Sequence, residues 1–104
     1  MLAPDGLKLD TSTEEDVDVI TLSGEIDFGN VSKLRRALID LARSGNDLEI
    51  RMDGVTFLDS TALGVLVQGR KRLEDASREL RLTGVRPRVK RTLEVAGLAE
   101  YLGV

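Results

Sequence analysis

One short run near the middle of the chain changes from strand to helix with almost no loop between them. Residues 55–64 read VTFLDSTALG, so an apolar strand end is followed by an acid, two adjacent hydroxyls and an apolar helix. Asp59 or Ser60 can cap that helix by accepting hydrogen bonds from its first free N–H groups. A cap explains one of the two hydroxyl residues. The run therefore predicts a serine at a helix N-terminus, beside a carboxylate and at a sheet edge, where another protein can modify it.

The rest of the chain alternates between strand patterns and helix patterns. Strand patterns, recognised by alternating apolar residues, cover residues 7–12, 17–22, 48–52 and 80–85. Helix patterns begin at Asn30 or Ser32, after Asp59, and after the Arg86-Pro87 step. Asp53-Gly54 is predicted to end the third strand, and residues 23–30 are predicted to form a loop with two glycines and two acids.

The order strand, strand, helix, strand, helix, strand, helix predicts an α/β fold in one domain of residues 1–104. A polar turn at residues 14–16 predicts that the first two strands form an antiparallel hairpin. The later strands should be parallel and joined by right-handed helical crossovers. We therefore expect a mixed sheet of four to five strands with the helices packed on it.

The composition removes several classes of chemistry. The chain has no histidine and no cysteine, which excludes Ser-His-Asp triads, most zinc sites and disulfides. Acidic residues outnumber basic ones by 18 to 15, and aromatic residues make up only 3%, which argues against nucleic-acid binding. No apolar stretch approaches the roughly 20 residues of a membrane helix. We expect a cytoplasmic protein that is not an enzyme, holds no metal and binds neither nucleic acid nor membrane.

Three segments together resemble one known family. LSGEID at residues 22–27 resembles a turn that follows the second strand, and DGVTFLDST at residues 53–61 resembles a signature loop before the central helix. LRLTGV at residues 80–85 precedes a last helix. In this order and spacing, the segments resemble those of STAS domains, the family of bacterial anti-anti-sigma factors. One departure is Ala62, which replaces the glycine that usually follows the hydroxyl pair.

The resemblance implies a binding protein that is switched by phosphorylation. In this family the unphosphorylated protein binds an anti-sigma factor and so releases a sigma factor. The anti-sigma factor is also a serine kinase that uses ATP and magnesium, and a serine phosphatase reverses its action. The nucleotide and the metal belong to the kinase, so no cofactor is expected on this chain.

The resemblance also assigns roles by position. Ser60 matches the phosphorylated serine, with Thr61 as the alternative. The partner-binding residues that the resemblance implies are Glu25, Asp27, Asn30, Asp59 and Thr61. Because loops that follow parallel strands meet at one edge of a sheet, Ser60 is expected at an exposed helix start beside the loop of Glu25 and Asp27.

Other interpretations of these residues remain open. Ser60 could be a helix cap without regulation, and Glu25 and Asp27 could serve only the turn and solubility. The protein could also be a non-switching STAS scaffold, or a subunit of a signalling or transporter assembly. A nucleophilic Ser60 or a phospho-accepting Asp59 is disfavoured. No lysine adjoins the motif, and the acids after the first strand fall in a hairpin turn.

Overall fold

The computed structural model describes residues 3–104, which form one four-stranded sheet and three helices. In chain order the elements are β1 Leu7–Glu14, β2 Val17–Ile26, α1 Val31–Leu41, β3 Asp47–Leu58, α2 Ser60–Asp75, β4 Leu80–Thr83 and α3 Pro87–Val95. None of these helices is both long enough and apolar enough to cross a membrane.

The strands lie side by side in the order β1-β2-β3-β4. β1 and β2 are antiparallel, whereas β2 with β3 and β3 with β4 are parallel. The hairpin turns at Glu15 and Asp16, whose φ angles of 50° and 65° match the two-residue turns that suit strand twist. α1 connects β2 to β3, and α2 connects β3 to β4. The predicted α/β fold with an N-terminal antiparallel hairpin is therefore confirmed.

The core lies between the helices and one face of the sheet. Ile20 of β2 and Ile50 of β3 are register partners, and both are completely buried. Leu34 of α1 and Leu66 of α2 belong to the same aliphatic cluster. Burial of each such side chain stabilises the fold by about 1.5–3 kcal/mol, so this cluster supplies the main favourable term.

The opposite face of the sheet carries a cluster of polar side chains, because side chains alternate between the two faces of a strand. Arg51 follows the buried Ile50 and donates to the carboxylates of Glu14 at 3.1 Å and Glu49 at 3.3 Å. The Thr83 hydroxyl also donates to Glu49, at 2.8 Å. Thr83, followed by Arg51, lowers the pKa of Glu49. This face therefore presents paired charges to solvent.

The predicted ends of β2 and β3 are wrong by four residues or more, whereas those of β1 and β4 differ from the structure by two. β2 continues through the first part of the predicted loop to Ile26, and β3 continues past Asp53-Gly54 to Leu58. Two register shifts give β3 extra residues opposite β2, so β3 bulges and remains paired. Glycine is needed there because a Cβ on Gly54 would lie 2.5 Å from the Cβ of Ser23. The acid–glycine pair therefore marks a bulge and a close approach between strands.

One arginine holds the edge of the sheet at which β3 and β4 begin. The Arg78 guanidinium donates to the carbonyl oxygens of Leu41, Ala42 and Asn46 at 3.2, 2.5 and 2.7 Å. Leu41 and Ala42 end α1, so these bonds satisfy carbonyls that a helix C-terminus leaves unpaired. Arg78 therefore ties the end of α1 to the segment that precedes β4.

We expect Arg78→Lys to lower the free energy of unfolding by about 2 kcal/mol, because an ammonium group cannot replace the planar fork of donors. Urea denaturation followed by circular dichroism measures the change. Arg36→Lys, on the exposed side of α1, is the matched control and should stay within about 0.5 kcal/mol of the wild type. Equal losses in both variants would contradict the role assigned to Arg78.

Candidate functional site

The carboxyl ends of β2 and β3 bring two loops together at one edge of the sheet. The backbone N–H of Asp59 donates to the carbonyl oxygen of Ile26 at 3.1 Å. The backbone N–H of Phe28 donates to Asp59 Oδ2, also at 3.1 Å, although the two residues are 31 positions apart. The prediction that Ser60 lies at a helix start beside the acidic segment of residues 25–27 is therefore confirmed.

Asp59 is the N-cap of α2, and both of its carboxylate oxygens accept hydrogen bonds. Oδ1 accepts from the backbone N–H of Ala62 at 3.0 Å and from the Thr61 hydroxyl at 2.5 Å. Oδ2 accepts from the backbone N–H of Phe28. The Thr61 hydroxyl, aided by the N–H groups of Ala62 and Phe28, lowers the pKa of Asp59 against the opposing effect of partial burial. Asp59 is therefore ionised at neutral pH and joins the start of α2 to the loop after β2.

The two adjacent hydroxyls lie in different surroundings. Ser60 is the first residue of α2 and is exposed. Within residues 3–104, its hydroxyl makes no hydrogen bond. Thr61 is half-buried, and its hydroxyl is already bonded to Asp59. A modifying enzyme that approaches from solvent therefore reaches the free hydroxyl of Ser60 without breaking a bond, whereas modification of Thr61 requires the loss of one.

Ala62, the departure from the family pattern, is completely buried and packs in the hydrophobic core. Its backbone N–H is held by Asp59. Because its methyl group points into the core, it does not cover the surface around Ser60.

Asn30 was predicted to bind a partner, but the structure buries it. It is only 2% exposed, so its side chain is not available to a partner. Its side-chain amide donates to the carbonyl oxygens of Asp5 at 2.8 Å and Glu25 at 2.9 Å. Its Oδ1 accepts from the backbone N–H of Asp27 at 2.9 Å. Asn30 occupies the N-cap position of α1 without a side-chain cap bond, because its side chain holds the loop and the N-terminal segment together instead.

The two predicted acids lie at the surface, with different partners. Glu25 is exposed. Asp27 is half-buried, and its Oδ1 accepts from the backbone N–H of Gly29 at 2.9 Å. Asp27 therefore shapes the turn, as the simpler interpretation expected, and remains part of the surface of this edge.

A shallow groove of about 380 Å³ runs beside these acids. It is lined by Gly6, Ser23, Gly24, Glu25, Asp27, Gly54 and Thr56. Among these residues there are two carboxylates and no basic side chain. Residues 3–104 contain no group of three or more acidic side chains arranged to hold a metal ion.

Sequence reasoning missed the aromatic residues of this edge. The chain contains only two phenylalanines, and both are exposed here, Phe28 by 82% and Phe57 by 44%. Phe57 is the register partner of Glu25, so it faces away from the core on the same side of the sheet. The available signal was an aromatic residue placed between Asp27 and Gly29 in a loop that is otherwise polar.

Comparisons with known proteins agree with this geometry. Residues 8–104 match the family model of the STAS domain. An anti-sigma-B factor antagonist of Staphylococcus aureus (strain NCTC 8325 / PS 47) is 30% identical over 99 residues, which are 94% of this chain and 92% of that protein.

Two solved structures share the fold at low sequence identity. An anti-sigma factor antagonist from Mycobacterium paratuberculosis has a TM-score of 0.86 at 24% identity, over 98% of this chain and 87% of that chain. The Bacillus cell fate determinant SpoIIAA in its phosphorylated form has a TM-score of 0.72 at 20% identity, over 90% and 87% of the respective chains. At these identities the likeness establishes the fold alone.

We expect Asp59→Ala to lower the free energy of unfolding at pH 7 by about 1–2 kcal/mol, because the cap of α2 is lost. A carboxylate with a lowered pKa stabilises the fold above its unfolded value near 3.8, and the effect is lost as the pH falls through the folded value. The difference from the wild type should therefore shrink below pH 4, as measured by urea denaturation across pH.

Asp40→Ala, at an exposed position of α1, is the control for that measurement. It should change the stability by less than about 0.5 kcal/mol at either pH. A loss in Asp59→Ala that stays constant between pH 7 and pH 2.5 would show that the ionised carboxylate is not the stabilising group.

Proposed function

The chain belongs to the STAS domain family, and from that premise we propose that it is an anti-sigma factor antagonist. The unphosphorylated form binds an anti-sigma factor and thereby frees a sigma factor for transcription. The observation that carries the proposal is the exposed, unbonded hydroxyl of Ser60 at the start of α2, set among Asp59, Asp27 and Glu25. The relative in Staphylococcus aureus, which bears the name anti-sigma-B factor antagonist, supports it.

In this proposal the anti-sigma factor is also the serine kinase that phosphorylates Ser60, and a serine phosphatase restores the binding form. ATP and magnesium are held by the kinase. The chain itself is a substrate and a switch, and it performs no catalysis. The choice of Ser60 over Thr61 is supported by the hydrogen bond that occupies the Thr61 hydroxyl.

Electrostatics explain how one phosphate switches binding while the fold persists. A phosphate adds about −1.5 to −2 charges at pH 7. At the N-terminus of α2 that charge is favoured by the helix dipole and by free N–H groups, so the helix should remain intact. Asp59, Asp27 and Glu25 add further negative charge to the same edge. Phosphorylation therefore changes the surface potential where the partner docks, and each tenfold loss of affinity corresponds to about 1.4 kcal/mol.

We expect phosphate on Ser60 when the protein is incubated with its cognate anti-sigma kinase, ATP and magnesium. The kinase is found by testing each purified anti-sigma factor of the source organism, beginning with those encoded beside this gene. Mass spectrometry maps the site. Ser60→Ala should accept no phosphate and still bind, and Ser60→Asp should bind at least tenfold more weakly with an unchanged circular dichroism spectrum.

Ser32→Ala is the matched control, because Ser32 is also exposed in the first turn of a helix, α1. This variant should incorporate phosphate and bind as the wild type does. Phosphate that appears only on Thr61 would move the site by one residue. Binding that is indifferent to ATP, without phosphate on any residue, would replace the switch by a non-switching STAS scaffold.

A further inference from the structure

The aromatic residues of the site edge are unusual in their placement. The core of residues 3–104 is built from aliphatic side chains and methionine, while both phenylalanines lie at the surface beside the Ser60 motif. Single exposed apolar residues are common in proteins, so exposure by itself assigns no role. The surroundings of Phe28 do.

Three successive backbone N–H groups around Phe28 are held by hydrogen bonds to side chains. The Asp27 N–H donates to the buried side chain of Asn30, the Phe28 N–H donates to the Asp59 carboxylate, and the Gly29 N–H donates to the Asp27 side chain. The bond to Asp59 ties the loop at Phe28 to the start of α2. Phe28 is therefore presented outward from an ordered backbone. A partner that binds it has little loop entropy to remove.

The charges around Phe28 indicate the surface that fits it. The carboxylates of Asp59 and Asp27 accept hydrogen bonds from the backbone N–H groups of Phe28 and Gly29, so both lie next to Phe28. Glu25 adds a third carboxylate beside its register partner Phe57. The adjacent groove carries no basic side chain among its lining residues. A complementary protein surface therefore combines an apolar pocket with a rim of lysine or arginine.

We infer that Phe28 is the apolar anchor of the docking surface and that its occupant is an apolar, basic-rimmed pocket on the anti-sigma factor. The inference rests on the proposed function, since it names the partner of that function. Buried aromatic anchors ringed by weaker contacts dominate many protein interfaces. Asp59 acts here as a positioning residue, because it holds the Phe28 backbone and the start of α2 in one arrangement.

The position of Phe28 also explains how phosphorylation of Ser60 would weaken binding of the partner. Ser60 follows Asp59 directly, and Asp59 holds the backbone of Phe28. A phosphate on Ser60 adds its charge next to the point at which the anchor enters the partner. The phosphate would lose its hydration when the phenylalanine is buried in the partner, and that loss costs free energy. Phosphorylation of Ser60 therefore opposes insertion of Phe28.

The test measures the affinity of the full chain for the anti-sigma factor that binds the wild type, by isothermal titration. Phe28→Ala should weaken binding at least tenfold, which is about 1.4 kcal/mol, and should leave the thermal unfolding midpoint unchanged. Phe28→Leu should recover most of the affinity, because it restores apolar volume. Val95→Ala is the control, because Val95 is 80% exposed, as against 82% for Phe28, but lies at the end of α3. This substitution should change the affinity by less than twofold.

A variant of the acidic rim tests the charge of the occupant. Glu25 is exposed, so Glu25→Gln removes its charge with almost no change in the size of the side chain. This variant should weaken binding and reduce its dependence on salt concentration. Unchanged salt dependence would overturn the basic rim at this position.

The outcomes separate the two proposals. If the wild type binds none of the anti-sigma factors, the proposed function fails and the docking surface falls with it. If the wild type binds and Phe28→Ala binds within twofold of it, the proposed function stands and the anchor is overturned. Equal losses in Phe28→Ala and Val95→Ala would likewise overturn the anchor, because the effect would then not be local to this edge.

Discussion

The arrangement of the site depends on the carboxylate of Asp59. Parallel pairing of β2 and β3 brings their loops to the same edge, but pairing alone leaves the loop tips independent of each other. Asp59 removes that independence, because one carboxylate caps α2 through Ala62 and holds the loop after β2 through Phe28. The same group orients the Thr61 hydroxyl. A charge added beside Asp59 therefore affects a surface in which the start of α2 and the loop after β2 are held together.

Both edges of the sheet contain polar groups that are held by hydrogen bonds, and the site edge also presents exposed side chains. At the edge where β3 and β4 begin, Arg78 covers the end of α1, and the buried Asp18 carboxylate accepts bonds from Thr13, Ser44 and Asn46. These groups are turned inward and satisfied. At the site edge, Ser60 and Phe28 are turned outward. Because Ser60 and Phe28 lie outside the core, their charge or shape can change without loss of core packing.

Local patterns predicted the features that depend on neighbouring residues. The hairpin turn, the order of strands and helices, and the start of α2 follow from periodicity and capping, which act over a few positions. The Asp53-Gly54 pair misled for the same reason. A glycine beside an acid usually ends a strand, whereas here Gly54 accommodates Ser23 of the neighbouring strand. Nothing near Gly54 in the sequence carries that information.

The sequence by itself determined the α/β order, the capped start of α2 and the identity of the two hydroxyls that lie there. Only the tertiary structure decided that Ser60 is free while Thr61 is bonded, that Asn30 is buried, and that Phe28 points into solvent. Each of these outcomes depends on burial or on contacts across the fold. Asn30 reaches Asp5, and Phe28 reaches Asp59, between segments that meet only when the sheet forms. Such contacts leave no periodic trace in the chain, because they join single residues and not whole elements.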